Sequence, residues 1–207
     1  MPAIIGKKLG MTQVFREDGE RVPVTVIQAG PCPVTAVRDP ERDGYAAVQL
    51  AFGEVAEKKL TKAELTHLKK ASAPPMDTLV EFRASEIGAE HQIGDSVTVE
   101  SFEPGQRVKV SGVSIGKGFQ GTIKRHNFSR GPETHGSHNV RAPGSIGASA
   151  DPARVFKGMR MPGQMGSRRV TQRGAHVVEI DAERNLLLIR GSVPGGKNAT
   201  VEVRSDG

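Results

Sequence analysis

Cysteine and aromatic side chains are scarce in this chain of 207 residues, which has one cysteine, no tryptophan and one tyrosine. The single cysteine, Cys32, cannot form an internal disulfide or a multi-cysteine metal site, so we expect a structural thiol in a reducing compartment. No apolar stretch approaches the length of a membrane span, and the first residues lack the apolar core of a signal peptide. These absences predict a soluble, cytoplasmic protein without membrane contact.

Acidic residues are nearly absent from one long part of the chain. Residues 109–173 contain twelve Lys and Arg but only two acids, Glu133 and Asp151. The other 142 residues carry seventeen basic and twenty-one acidic side chains, so the net charge of +6 divides into +10 and −4. A concentrated basic segment on a mildly acidic body predicts binding to a polyanion.

Large apolar side chains are also few in residues 109–173, which hold eleven of the 25 glycines. The segment shows no sustained apolar periodicity, and its like charges repel one another. Such a composition buries too little apolar surface to offset the entropy lost when a chain is ordered. We therefore expect this segment to become ordered only against a partner, and its charge makes that partner anionic.

The remaining chain shows short β-branched runs with a two-residue period, each closed by turn residues. Their regular spacing favours a mainly β fold with a barrel rather than a parallel sheet. A capping box at Thr61 and Glu64, with Pro74 beyond, predicts a small inserted helix at about residues 59–73, and a shorter turn is predicted at 84–88. The predicted strands are residues 11–15, 22–28, 34–38, 45–52, 79–83, 96–100, 107–114, 176–180, 186–190 and 200–204.

The strands on both sides of the basic segment have the same pattern, which predicts one barrel with a long excursion rather than two domains. Residues 1–112 would form the first part of the barrel, and residues 173–207 the strands that complete it. Residues 113–172 would form a long irregular basic extension.

Residues 116–121 match the pattern G-x-G-x-x-G, which is typical of nucleotide-binding βαβ units and kinases. The residues that follow do not predict the helix such a unit needs, and position 141 is arginine where the unit has an acid. We expect these glycines to bring backbone N–H groups against phosphates, or to form a plain turn with exposed lysines. A nucleotide-using enzyme and a protein-only module that docks on an acidic partner are the alternatives.

Histidines and serines in the basic segment do not form a recognisable catalytic or metal site. His126, His135 and His138 lack the four-ligand spacing of a zinc site, and no nucleophile elbow is present. We therefore predict no metal, no cofactor, no small-molecule substrate and no enzymatic activity.

Aromatic residues alternate with arginines along the same segment, at Phe119, Phe128 and Phe156. Bases stack on such rings while basic groups bind phosphates, although a small satellite core would use the same residues. The segment lacks a recognition helix or zinc finger, so sequence-specific reading of a major groove is not expected. Together with the glycine content, this pattern favours folded RNA as the partner.

Six motifs stand in order along nearly the whole chain. They are residues 6–15 (GKKLGMTQVF), 114–121 (SIGKGFQG) with Arg125, 143–147 (PGSIG), 155–158 (VFKG), 161–166 (MPGQMG) and 181–188 (DAERNLLL). Together they resemble the motifs of large-subunit ribosomal protein three, a universal family, and the chain length suits its bacterial branch.

The resemblance implies a translation-factor-like β-barrel at the surface of the large ribosomal subunit. It also implies primary binding near the 3′ end of 23S rRNA, an early role in 50S assembly, contacts with neighbouring large-subunit proteins, and a loop that runs towards the peptidyl transferase centre. The tip of that loop would be Ser145, Ile146, Gly147, Ala148, Ser149, Ala150, Asp151 and Pro152. Ala150 stands where bacterial members often have a methylated glutamine, so we expect no such modification.

Charge and resemblance together predict a set of rRNA-binding residues. The predicted set is Lys7, Lys8, Lys117, Lys124, Arg125, His126, Arg130, His135, Arg141, Arg154, Phe156, Lys157, Arg160, Gln164, Arg168 and Arg169. Phosphate contacts are expected mainly from the cations of the basic segment. Base or sugar contacts are expected from His126, His135, Phe156 and Gln164.

Overall fold

The computed structural model describes residues 2–88 and 91–206, which form two compact units. The barrel unit contains the described residues up to Ser114 and those from Arg169 onward. The basic unit is Ile115–Arg168.

Strands dominate the described residues, which confirms the mainly β fold. The strands are β1 (Ala3–Phe15), β2 (Arg21–Ala29), β3 (Cys32–Arg38), β4 (Ala47–Glu54), β5 (Met76–Arg83), β6 (Ser96–Val97), β7 (Arg107–Val113), β8 (Gly118–Gln120), β9 (Gly163–Met165), β10 (Arg169–Asp181), β11 (Leu186–Arg190) and β12 (Thr200–Ser205). The α-helices are α1 (Pro40–Asp43), α2 (Lys62–Lys70), α3 (Ala84–Ile87) and α4 (Thr122–His126).

Six strands of the barrel unit close into an antiparallel barrel in the order β1, β12, β7, β10, β11, β2. A second sheet has the order β5, β4, β3, β6. One hydrophobic core joins the two, since Ile5 and Val110 of the barrel belong to the same buried cluster as Leu50 and Phe82 of the sheet. The barrel predicted from strand spacing is therefore confirmed, with a sheet packed against it.

Two barrel strands are longer than their sequence patterns indicate. β1 starts at Ala3 rather than at residue 11, and its first four residues are all buried, so they show no alternation. β10 starts at Arg169 rather than at residue 176. Its first residues are exposed and polar, but Arg169 pairs with Val113 and Gln172 with Val110 on β7. Both extensions are defined by backbone hydrogen bonds to neighbouring strands. Their sequences show no two-residue periodicity that would predict them.

The inserted helix forms where its capping box predicts. The Thr61 side chain accepts from the backbone N–H of Glu64, and the Glu64 carboxylate accepts from the backbone N–H of Thr61. Leu68 is the buried residue of α2 and clusters with Ala51 and Met76. The helix is thereby attached to the second sheet through a small satellite core.

Cys32 lies in the core, where its thiol donates to the carbonyl oxygen of Ile5 at 3.4 Å. Burial raises the pKa of Cys32 to about 12. Because the thiolate is the reactive form, this cysteine is a poor nucleophile at neutral pH.

A carboxylate on the second sheet collects several hydrogen bonds. Glu81 accepts from the Tyr45 hydroxyl at 2.8 Å, from Arg38 at 3.1 and 3.2 Å, and from the Gln49 amide at 3.3 Å. The Tyr45 hydroxyl, followed by the Arg38 guanidinium, holds the pKa of Glu81 below its ordinary value of 4.5. A lowered folded-state pKa contributes stability above the unfolded pKa, and that contribution disappears as the pH falls through the folded value.

We expect Glu81→Gln to lower the free energy of unfolding at pH 7 by about 1–2 kcal/mol, because hydrogen bonds to a charged acceptor are lost. The difference from wild type should shrink as the pH falls below 4.5 and through the lowered pKa of the wild-type carboxylate. Urea unfolding followed by circular dichroism over a series of pH values measures this. Tyr45→Phe should reproduce part of the effect, and a difference independent of pH would contradict the prediction.

Candidate nucleic-acid interface

The basic unit has almost no interior. All of its residues are described, and Thr122 is the one that is buried. The unit holds nine Lys and Arg against two acids. Large apolar side chains are exposed as well, including Phe119 at 76%. Backbone pairing and polar contacts must therefore supply the internal order of this unit.

Two short strands form the base of the basic unit. β8 and β9 are antiparallel, with Gly118 opposite Met165, Phe119 opposite Gln164 and Gln120 opposite Gly163. The backbone N–H of Lys117 also donates to the carbonyl oxygen of Met165 at 2.9 Å. These contacts join the beginning of the unit to its end.

A helix that the sequence analysis did not expect follows Gly121. α4 has five residues and ends at Asn127, whose left-handed backbone stops it. Nη1 of Arg125 donates to the carbonyl oxygen of Met161 at 2.5 Å, and Nε2 of His126 lies 3.1 Å from the same oxygen. The sequence does not predict this role of Met161, because the backbone carbonyl of any residue type can accept a hydrogen bond.

The G-x-G-x-x-G segment does not lie in a βαβ unit, because the strand inside it, β8, pairs antiparallel with β9. A Cβ on its first glycine, Gly116, would lie 2.5 Å from the movable Oγ of Ser167. On the facing side, Gly166 has a φ of +74°, and a Cβ there would lie 2.1 Å from the carbonyl oxygen of Ile115. The backbone of residues 115–116 therefore lies too close to Gly166 for a side chain at that position.

Arg125 and His126 also line a cleft of about 170 Å³ in the basic unit. The remaining lining residues are Gln164, Met165, Gly166 and Arg168. Four predicted RNA-binding residues therefore meet in one place: two guanidinium groups, one imidazole and one amide.

Other predicted residues of the basic unit are spread over its surface. Arg154 lies over the Phe156 ring at 5.5 Å, and Arg130 forms an ion pair with Glu133. Of the tip residues, all are exposed except the half-buried Pro152. The predicted residues that are exposed are Lys117, Lys124, Arg130, His135, Arg141, Arg154, Phe156, Lys157, Arg160, Gln164 and Arg168.

Comparison with known proteins identifies the family. The sequence model described as Ribosomal protein L3 matches residues 78–186. The large ribosomal subunit protein uL3 of Thermosynechococcus vestitus is 54% identical over 200 residues, covering 97% of this chain and 94% of that protein. Its counterpart in Trichlorobacter lovleyi is 55% identical over 201 residues, covering 97% and 95%. The chain belongs to the ribosomal protein L3 family. The resemblance seen in the sequence motifs is thereby confirmed.

Three predicted RNA-binding residues of this L3-family chain lie in the barrel unit. Lys7 is exposed, whereas Arg169 is paired through both terminal nitrogens with the carboxylate of Glu202. Lys8 is buried, and its Nζ donates to the carbonyl oxygens of Val193 and Gly195 at 2.9 Å each. An RNA contact by Lys8 would require these bonds to break.

Residues 2–88 and 91–206 of this L3-family chain contain neither a metal-ligand cluster nor a membrane-spanning helix. No group of three or more His, Cys, Asp or Glu side chains in these ranges could hold a metal ion. In the same part of the chain, no helix is both long enough and apolar enough to cross a membrane.

We expect Gly166→Ala to disrupt the β8–β9 base, because the new Cβ would collide with the Ile115 carbonyl. A non-glycine residue at this backbone angle costs about 1–3 kcal/mol before the collision is counted, so exchange of the Lys117 amide should rise about tenfold or more. Hydrogen exchange with mass spectrometry or NMR measures this.

The matched control for Gly166→Ala is Gly121→Ala, since Gly121 has a φ of −69° and no neighbour within 4 Å of an added Cβ. It should leave the Lys117 amide unchanged, and both variants should keep the thermal midpoint of the barrel unit. Equal exchange in the two variants would show that the close approach at Gly166 does not hold the base together.

Proposed function

We propose that this chain is a structural constituent of the large ribosomal subunit and binds rRNA through its basic unit. The composition and burial of that unit support the proposal. The unit has nine Lys and Arg against two acids, and only one of its residues, Thr122, is buried. The names of its relatives, large ribosomal subunit protein uL3, support it. Folded RNA offers both the negative charge and the surface that such a unit needs.

The mechanism is scaffolding by charge neutralisation. Exposed cations such as Lys124, Arg141 and Lys157 bind phosphates of separate rRNA helices, which then pack closely together. Exposed rings add stacking surfaces, and Arg154 over the Phe156 ring makes a combined cationic and aromatic surface. The barrel unit, with its continuous core, keeps its own shape and fixes the position of the protein.

The finer assignment follows the family resemblance. We propose that the protein binds early near the 3′ end of 23S rRNA, helps to nucleate 50S assembly and contacts neighbouring large-subunit proteins. The tip at residues 145–152 would extend towards the peptidyl transferase centre. The exposure of the tip, with seven of eight residues open to solvent, is consistent with a surface that an RNA partner covers.

A nucleotide-using enzyme is the less favoured alternative. The antiparallel β8–β9 pair lacks the parallel strand arrangement of a dinucleotide site. The cleft beside it, about 170 Å³, is smaller than the roughly 300–1,000 Å³ of pockets that hold whole small-molecule ligands. Scaffolding requires neither feature.

The first test is the salt dependence of rRNA binding. If six basic groups displace counterions, the affinity for large-subunit rRNA transcribed in vitro should fall about a thousandfold between 50 and 200 mM salt. Filter binding across this range measures the slope. An affinity nearly independent of salt would count against the proposal, as would association with ribosomes that survives complete nuclease digestion.

Single lysines provide a matched comparison for the salt test. Lys157→Gln in the basic unit should reduce the slope of log affinity against log salt by about one. Lys58→Gln, an exposed lysine of the barrel unit, should leave the slope unchanged. Equal effects of the two variants would show that the charge of the whole chain, rather than its basic unit, determines binding.

Amide exchange tests the expectation that the basic unit needs a partner. In free protein, most amides of residues 128–160, which lie between α4 and β9, should exchange near the unfolded rate, while those of β1 and β12 should be protected by about 10³-fold or more, as several kcal/mol of local stability would give. Binding of rRNA should protect the basic unit. Strong protection of these residues without RNA would contradict the expectation.

A further inference from the structure

The cleft beside α4 has a chemistry that charge neutralisation alone does not require. Its volume, about 170 Å³, corresponds to about six water molecules at roughly 30 Å³ each. A single nucleobase fits such a space, whereas a whole cofactor does not. The lining contains arginine, histidine, glutamine, methionine and glycine but no carboxylate.

The protein holds the walls of the cleft in place without a ligand. Arg125 and His126 are both fixed on the carbonyl oxygen of Met161. A Cβ on Gly163 would lie 2.8 Å from Nη1 of Arg125, so the chain passes close beneath the guanidinium. Gln164 is set by its place in the β8–β9 pair. An ordered site lowers the entropy lost when a ligand binds.

An aromatic residue, Phe119, pairs with a residue that lines the cleft. Phe119 is directly opposite Gln164 in the β8–β9 pair, so the two side chains share one face of the pair with Cβ atoms about 5 Å apart. The Phe119 ring is 76% exposed. An amide and an open aromatic face side by side are the groups that RNA-binding proteins use to hold an unstacked base.

Hydrogen-bond donors predominate in this cleft. Such a lining favours a base that presents acceptors. Arginine only donates, whereas the Gln164 amide can both donate and accept. Guanine presents two acceptors, O6 and N7, on one edge, whereas adenine presents one acceptor and one donor there.

Thr122, one turn before Arg125 and His126 on the same face of α4, has a buried hydroxyl without a hydrogen-bond partner in the described structure.

We propose that this cleft binds one unpaired guanine of rRNA. Gln164 and the two arginines contact its O6 and N7 edge, and the Phe119 ring lies against its face. The inference rests on the proposed function, since it names one nucleotide contact within the wider rRNA interface.

Dimethyl sulfate methylates N7 of guanine, so it reports on the edge that the cleft covers. The full chain is bound to large-subunit rRNA transcribed in vitro, treated with the reagent, and the modified guanines are mapped. Wild type should protect N7 of at least one unpaired guanine. Gln164→Leu, which keeps the size and removes the amide, should expose that N7 and weaken binding about tenfold while leaving the salt slope unchanged.

Three further variants make the result specific. Phe119→Leu should also expose that guanine, because the stacking face is lost. Gln172→Leu, an exposed glutamine on β10, should retain both protection and affinity. Lys157→Gln should weaken binding and reduce the salt slope while the guanine stays protected, because this lysine does not line the cleft.

Two outcomes would overturn the inference in different ways. If Gln164→Leu binds rRNA and keeps every N7 protection of wild type, the cleft does not hold a guanine although the proposed function stands. If wild type gives no footprint and no salt-dependent affinity for rRNA, the proposed function fails and the inference fails with it.

Discussion

Electrostatic repulsion without a core to oppose it is the constraint on which the rest of this structure depends. The basic unit concentrates nine cations with two acids and buries Thr122 alone. Two acids cannot neutralise nine cations, although Arg130 forms an ion pair with Glu133. The order of the unit therefore comes from its base, where β8 pairs with β9 and the Met161 carbonyl receives Arg125 and His126.

The barrel unit differs, since it has a buried apolar core and a network of ion pairs. Arg204 donates to Glu86 at 2.6 Å and to Glu202 at 2.7 Å, and Glu202 also holds Arg169 at the first residue of β10. Burial raises the pKa of Glu86, but Arg204 and then Lys109 lower it by more, so it falls below its ordinary value. This ionic network lies beside the strand that leads back from the basic unit along the chain.

Sequence patterns predicted the features that depend on residue type at regular spacing. The barrel, the capped helix α2 and the family all follow from such patterns. Features that depend on the backbone were missed: the early start of β1, the polar start of β10, α4, and the acceptor role of Met161. Lys8 shows the same limit, because its position between basic and apolar residues does not reveal that two carbonyls hold its ammonium inside the protein.

Glycine has a double role in the basic unit, and the two roles explain why the G-x-G-x-x-G pattern misleads. At Gly166 the missing side chain lets two backbone segments touch. At Gly121 an added Cβ would have no neighbour within 4 Å, so the backbone is open to a partner from outside. A nucleotide-binding loop needs both properties within one turn around one phosphate group. Here the two properties are divided: Gly166 makes an internal contact, and Gly121 faces outward. This arrangement is the one expected when the ligand is a large folded polyanion.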